Sequence, residues 1–185
     1  MSDNRERSNA PAHHSDRGAT SQFVGFQIAG QDYAFPIGQI QEVLILDRVT
    51  QVPQVVDCCD GVSNLRGSII PIINLRTLFG LEPAPADAET RTIVVNVGER
   101  TMGCTVDSVS QVIRVPNENI QPAPEALIAE GADYLVGFAK LESKFVSLLD
   151  VDKLLDPAHL DRVRQLALET EPHQSPKARQ QERIP

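Results

Sequence analysis

The residue types best suited to nucleophilic, acid–base or metal chemistry are few in this chain and badly placed for it. Of four histidines, His13, His14 and His173 lie in polar terminal stretches, and His159 lies in a segment of helical pattern near the C-terminus. Adjacent histidines in a polar tail read as solvated side chains. Cys58 and Cys59 are adjacent rather than two apart, and no Lys or Arg stands within four residues to stabilise a thiolate. They read as buried or incidental. Cys104 falls in the alternating run Met102–Val106 and reads as core. The glycines Gly61 and Gly67, or Gly98 and Gly103, lack the spacing of a phosphate-cradling loop. Asp47, Asp57 and Asp60 stand where turns are expected, and turns favour Asp in any case. No catalytic residue, metal site or cofactor site is expected.

What remains is the chemistry of recognition, and its candidates emerge from a repeat. FVGFQIAGQDYAFPI is an alternating hairpin around Ala29–Asp32, and TIVVNVGERTMGCTV is another around Gly98-Glu99-Arg100. Ile37, Ile40, Val43 and Leu44 recur at helical spacing after Pro36, which predicts a short helical turn. Val106, Val109, Val112 and Ile113 copy them at an offset of 69, and Pro53 maps onto Pro122 at the same offset. Gly61–Phe79 then maps without gaps onto Gly137–Leu155 at an offset of 76, an insertion around PAPEALIAEGAD accounting for the change. Two copies of one β unit follow, and short strands with frequent turns favour small barrels. Each would be marginal alone, so they are expected to pack together.

The repeat acts as an internal control. A residue that serves only the fold should have a similar mate in the other copy. Arg66 has Glu142 as its mate, and Glu42 has the neutral Gln111. A solvated surface charge is the plain reading of either. Yet Arg66 sits in the tight turn Leu65-Arg66-Gly67, and arginine is the cation favoured at interface hot spots. Glu42 is a carboxylate suited to orient it.

Composition bounds the rest. The chain has 185 residues, 41% hydrophobic and 4% aromatic with no Trp, so Val, Ile and Leu must build the core. Residues 1–21 and 170–185 are polar without apolar periodicity and are expected to be flexible tails. The barrel units are expected at about 22–82 and 90–156 within one domain spanning 22–156. The loop EPAPADAET links them. Asp156-Pro157 looks like the start of a helix over 157–169, with Leu160, Val163 and Ala167 on its apolar stripe. The whole net charge of −8 falls within residues 21–155, because each end is neutral. Nucleic acid is therefore an unexpected partner. No stretch reaches the roughly 20 apolar residues that span a bilayer. The polar start and odd cysteine count read as cytoplasmic.

Residues Gly61-Val62-Ser63-Asn64-Leu65-Arg66-Gly67 through Asn74-Leu75 resemble the signature of CheW-type chemotaxis coupling proteins, G-apolar-x-N-L-R-G, then an apolar stretch with Pro, then D-L. Ile40–Val43, Val106–Val109 and Leu148-Leu149-Asp150 are similar to that family too, and the likeness covers about residues 21–156. It implies an all-β fold of two packed five-stranded SH3-like barrels with a short C-terminal helix. It implies a non-catalytic adaptor between the cytoplasmic tip of chemoreceptors and the regulatory domain of a CheA-type histidine kinase. It also places Arg66, Glu42, Val43, Leu44 and Asn64 at the receptor- and kinase-facing surface, Val43 and Leu44 beside an inter-barrel groove. Two departures stand out. Ser63 replaces an apolar residue, which hints at looser packing, and Asn74 replaces the common Asp. Rival readings are an adaptor of a related array governing surface motility or cyclic-dinucleotide synthesis, a kinase fragment, or a small-molecule-binding β-barrel. The kinase fragment is disfavoured because the sequence shows no ATP-binding domain and no helix bearing a phosphorylatable histidine.

With no loop to cradle phosphates, the purified protein is expected neither to bind nor to hydrolyse ATP. Equilibrium dialysis with labelled ATP checks this, and saturable binding at micromolar concentration would overturn the adaptor reading.

Overall fold

The strands arise where β-branched residues alternate with polar ones between Gly, Asp and Pro punctuation. The computed structural model describes residues 19–46, 48–53, 58–141 and 144–170. The first half gives β1 (Thr20–Ile28), β2 (Gln31–Pro36), β3 (Ile40–Leu44), β4 (Cys59–Leu65), β5 (Ser68–Asn74) and α1 (Leu75–Leu78). The second gives β6 (Arg91–Val97), β7 (Arg100–Val106), β8 (Ser108–Pro116), β9 (Ile120–Pro122), α2 (Glu125–Ala129), β10 (Leu135–Leu141), β11 (Lys144–Leu149) and α3 (Val151–Leu154). α4 (Pro157–Thr170) closes the described chain. Most of the expected N-terminal tail, and the C-terminal tail beyond Thr170, lie outside the described residues. Thr20 and Ser21 do not belong to a tail, because they pair with Pro116 and Val115.

The expected helical turn over Ile37–Leu44 is corrected. Only Ile37–Gln39 forms a single 3-10 turn, and Val43 and Leu44 lie on strand β3. A bulge between Ile40 and Glu42 shifts the strand register against β6, and an irregular strand carries apolar residues at spacings that imitate a helix.

The two halves follow the same order of elements except for β9 and α2, which the first half lacks among the described residues, and each sheet draws on both. One sheet runs β8-β1-β2-β11-β10-β9 and the other β3-β6-β7-β5-β4. Each barrel thus takes its first hairpin from one repeat and its remaining strands from the other. The sheets therefore do not follow the expected halves 22–82 and 90–156. The exchanged seams are parallel and share one register. Leu148 pairs with Ala34, and their mates Ile72 and Gly103 pair in the same way. One sheet has six strands rather than five, because Ile120–Pro122 pairs with β10, whereas its counterpart near Thr50 makes only an isolated bridge to Val62.

Repeat mates perform the same local work. A Cβ on Gly61 would lie 2.2 Å from the Thr50 carbonyl oxygen, and one on Gly137 would lie 2.2 Å from that of Gln121. Only glycine lets those strands cross. Asn74 and Asp150 cap α1 and α3 with near-identical backbone angles, φ −87° and −88°. Asn74 also donates to the Asp60 carboxylate at 3.2 Å, where an aspartate would meet like charge. Ser63 is buried and donates to the Arg48 carbonyl at 2.9 Å, so its hydroxyl is satisfied rather than loosely packed.

The main core lies between the barrels. Phe26, Ile28 and Phe35 of the first hairpin meet Ile93, Val95 and Cys104 of the second, with Leu75, Leu78, Leu149 and Leu154. Burial pushes the Cys104 thiol up to about 12, so it packs as a small apolar group. Phe26, Tyr33, Phe79 and Tyr134 continue as a ladder of ring contacts to His159 on α4. α4 starts where Asp156 accepts from the Ala158 amide at 2.8 Å, and Leu160 and Val163 dock on the core. The side chain of Ala167, expected on the same stripe, lies outside the described residues.

His159 is 8% exposed, packed edge-on to Tyr134 with Arg162 Nη2 3.0 Å from its Nδ1. Arginine can only donate, so Nδ1 accepts and the ring is neutral. Burial holds its pKa below the ordinary 6.5, and the Arg162 charge adds to that against Asp133 and Asp156. The unfolded chain thus binds the proton more readily. This contribution to stability is whole above about pH 6.5 and is lost as pH falls through the folded pKa. The melting temperature is expected to drop between about pH 7.5 and about pH 5.5, and the drop should shrink in His159→Phe. Equal slopes in thermal scans of the two proteins would refute this.

Candidate functional site

The turn between β4 and β5 consists of Arg66 and Gly67, with φ of 51° and 91°. Both are left-handed, as a two-residue hairpin turn of primed type requires, and Asn-Gly is its favoured sequence. A long side chain in this conformation costs about 1–2 kcal/mol, so local backbone preference does not account for an arginine here. Asn64 fixes the turn, its Oδ1 accepting from the Gly67 amide at 2.8 Å.

From that turn Arg66 Nη2 donates to Glu42 Oε2 at 2.7 Å. β3 and β4 are the two ends of their sheet's strand order, so this contact crosses the open seam of the barrel. Glu42 shares the inward side of β3 with half-buried Leu44, whereas the bulge turns Ile40 to the other face, against the main core. The Glu42 Oε1 is buried without a hydrogen-bond partner. The Arg66 side chain is 74% exposed. Glu42 is only 22% exposed, but with its arginine end this open to water the pair is screened and contributes about 0–1 kcal/mol, so it is not what holds the barrel shut. Its guanidinium keeps donors free to face outward.

The other residues expected here divide by face. Val43 points outward and is 40% exposed. Leu44 points inward against the cluster of Ile70, Ile72 and Val94. Ile69 on β5 is exposed, as is its mate Phe145, so the second barrel offers a comparable apolar position. At the Glu42 position that barrel has Gln111, and Glu142 lies outside the described residues.

Sequence reasoning passed over a second pair. Arg76 grips Asp107 through Nε and Nη2, both at 2.7 Å, while Asp107 also accepts from the Ala29 amide at 2.7 Å. The Arg76 guanidinium holds the Asp107 carboxyl below its usual range. Helix α1, the β7–β8 junction and the tip of the first hairpin are thereby tied together. The pseudo-equivalent joint uses Asp152 of α3, which accepts from Gln39 at 2.8 Å and from the Gly98 amide at 3.2 Å. The charge test that singled out Arg66 also singles out Arg76, because its mate is Asp152. Among the described residues, no group of three His, Cys, Asp or Glu side chains is placed to hold a metal. Among the described residues, no helix is long and apolar enough to cross a membrane.

A family model described as "CheW-like domain" matches residues 22–159. The chain is 36% identical over 146 residues to "Chemotaxis protein CheW" of Klebsiella aerogenes, covering 79% of this chain and 88% of that protein. It is 32% identical over 151 residues to "Chemotaxis protein CheW" of Helicobacter pylori, covering 82% and 91%. Among solved structures, the scaffolding protein TtCheW from Thermoanaerobacter tengcongensis superposes with a TM-score of 0.67 at 26% identity, covering 75% of this chain and 94% of that one.

Proposed function

The chain belongs to the CheW-like domain family, whose members are non-catalytic adaptors, and we propose that it couples the cytoplasmic tip of chemoreceptors to the regulatory domain of a CheA-type histidine kinase. The observation that carries this reading is the Arg66–Glu42 pair. It stands on a turn that disfavours arginine, contributes little to stability, and has no counterpart of the same charge at Gln111 in the other copy. An interaction that the fold neither needs nor favours is best explained by a partner. Arg66 offers planar donors to a carboxylate or carbonyl across the interface, and Glu42 aims them. Val43 adds exposed apolar surface beside the pair, Leu44 anchors the strand that carries it, and Asn64 sets the turn.

The mechanism is positional. Two barrels that share hairpins move as one body, so partners on different faces are held at a fixed separation. Binding of one then raises the effective concentration of the other without any chemical step. Such a role places the protein in the cytoplasm, where receptor tips and kinase meet.

The test is Arg66→Glu, which gives the first copy the residue that the second carries at Glu142. Stability is expected to stay within about 1 kcal/mol, as at other exposed sites. Receptor-stimulated phosphorylation by the kinase, reconstituted with receptor-bearing membranes, is expected to be lost, while Arg48→Glu stays near the unaltered protein. A variant that unfolds makes Arg66 structural. One that folds and couples normally removes this surface from the coupling function.

A further inference from the structure

The face of the second barrel that corresponds to the Arg66–Glu42 seam is built differently. Between β8 and the β10–β11 hairpin opens a cleft of about 820 Å³. β8 is the terminal strand of its sheet, and Ser110, Gln111 and Val112 lie exposed along it, Val112 at 50%. Its outer edge pairs with no other strand among the described residues, which leaves backbone donors and acceptors able to receive one more. Arg114, Lys140 and Lys144 line the cleft against a single described carboxylate, Asp32, which accepts from Lys144 at 3.1 Å.

These cations are not demanded by the barrel. Their mates in the other copy are Ile45, Asn64 and Ser68, none of them charged. Within a region that carries the full negative charge of the chain, three cations on one cleft mark a preference for a partner of opposite sign. We propose that this cleft takes an extended, acidic segment of a partner protein, which adds as a strand to the free edge of β8 and sets its carboxylates against Arg114, Lys140 and Lys144. Main-chain hydrogen bonds would supply affinity and the alternate side chains specificity. Lys144 is mostly exposed, so its bond to Asp32 is weak and readily shared with an incoming carboxylate. The inference goes beyond the coupling role and uses none of the Arg66 surface, so the two stand or fall separately.

The probe is a fluorescein-labelled peptide of about ten residues alternating Glu with Thr and Val, titrated with the full-length protein and read by anisotropy. Saturable binding that weakens as salt rises is expected. Lys140→Glu combined with Lys144→Glu is expected to weaken it by about tenfold or more, with the melting temperature unchanged. On the unaltered protein, a Lys-for-Glu peptide and a peptide N-methylated at alternate residues should both fail to bind, which tests charge and strand addition whether or not the double variant folds. Absence of saturable binding, binding indifferent to charge reversal, or equal binding of the N-methylated peptide would overturn the proposal. So would displacement of the peptide by equimolar inorganic triphosphate, which would make the cleft a small-anion site.

Discussion

The rest of the molecule depends on two parallel strand pairings, Ala34 against Leu148 and Gly103 against Ile72. Each joins a hairpin of one repeat to the last strand of the other, so neither repeat completes a barrel without its neighbour. Small barrels of this length are marginal alone, and exchange makes the folding of each conditional on the other. It also places the largest apolar cluster between the barrels, where Phe26, Phe35, Ile93 and Cys104 are fully buried. The polar joints of Asp107 and Asp152 then secure the hairpin tips, each carboxylate receiving the amide of one hairpin turn. The joints are equivalent in position and different in chemistry, since one closes through arginine and the other through glutamine. A fold held by paired β-registers tolerates such divergence, because the registers do not depend on which side of the joint carries the charge.

That tolerance frees surface positions for function. Arg66 occupies a left-handed turn position, pairs with a carboxylate across an open seam, and leaves most of its side chain in water. Across the pseudo-symmetry, the corresponding face carries a cation-lined cleft instead. The same scaffold therefore presents two faces of different character, one built on an ion pair with an apolar neighbour and one on basic side chains beside a free strand edge. An adaptor needs this property, because partners of different shape and charge must be told apart by surfaces with a common architecture.

Much of this was legible in the sequence. Alternation with turn residues located both hairpins, Asp156-Pro157 marked the start of α4, and the repeat placed Arg66 and Glu42 above other surface charges. The exchange was not legible. A hairpin such as β1–β2 has the same local pattern whether it pairs with its own repeat or the other, and the choice is made by contacts more than a hundred residues apart, as between Tyr33 and Ser147. Val43 and Leu44 misled because a bulged strand imitates helical spacing. His159 escaped notice because a polar residue on an apolar stripe gives no signal of burial until Tyr134 is placed against it. The left-handed backbone of Arg66 was hidden for a related reason. An arginine does not announce a turn that Asn or Gly would ordinarily occupy.

The exchange is the central claim, and cutting the chain tests it most directly. The linker between Leu81 and Thr90 is exposed and free of regular structure, so a break there removes no core contact. Two fragments ending and beginning in that linker are expected each to lack a cooperative thermal transition, and to regain one, with a β-sheet circular dichroism spectrum, when mixed in equal amounts. A cooperative transition in either fragment alone would show that one repeat closes its own barrel and would contradict the account.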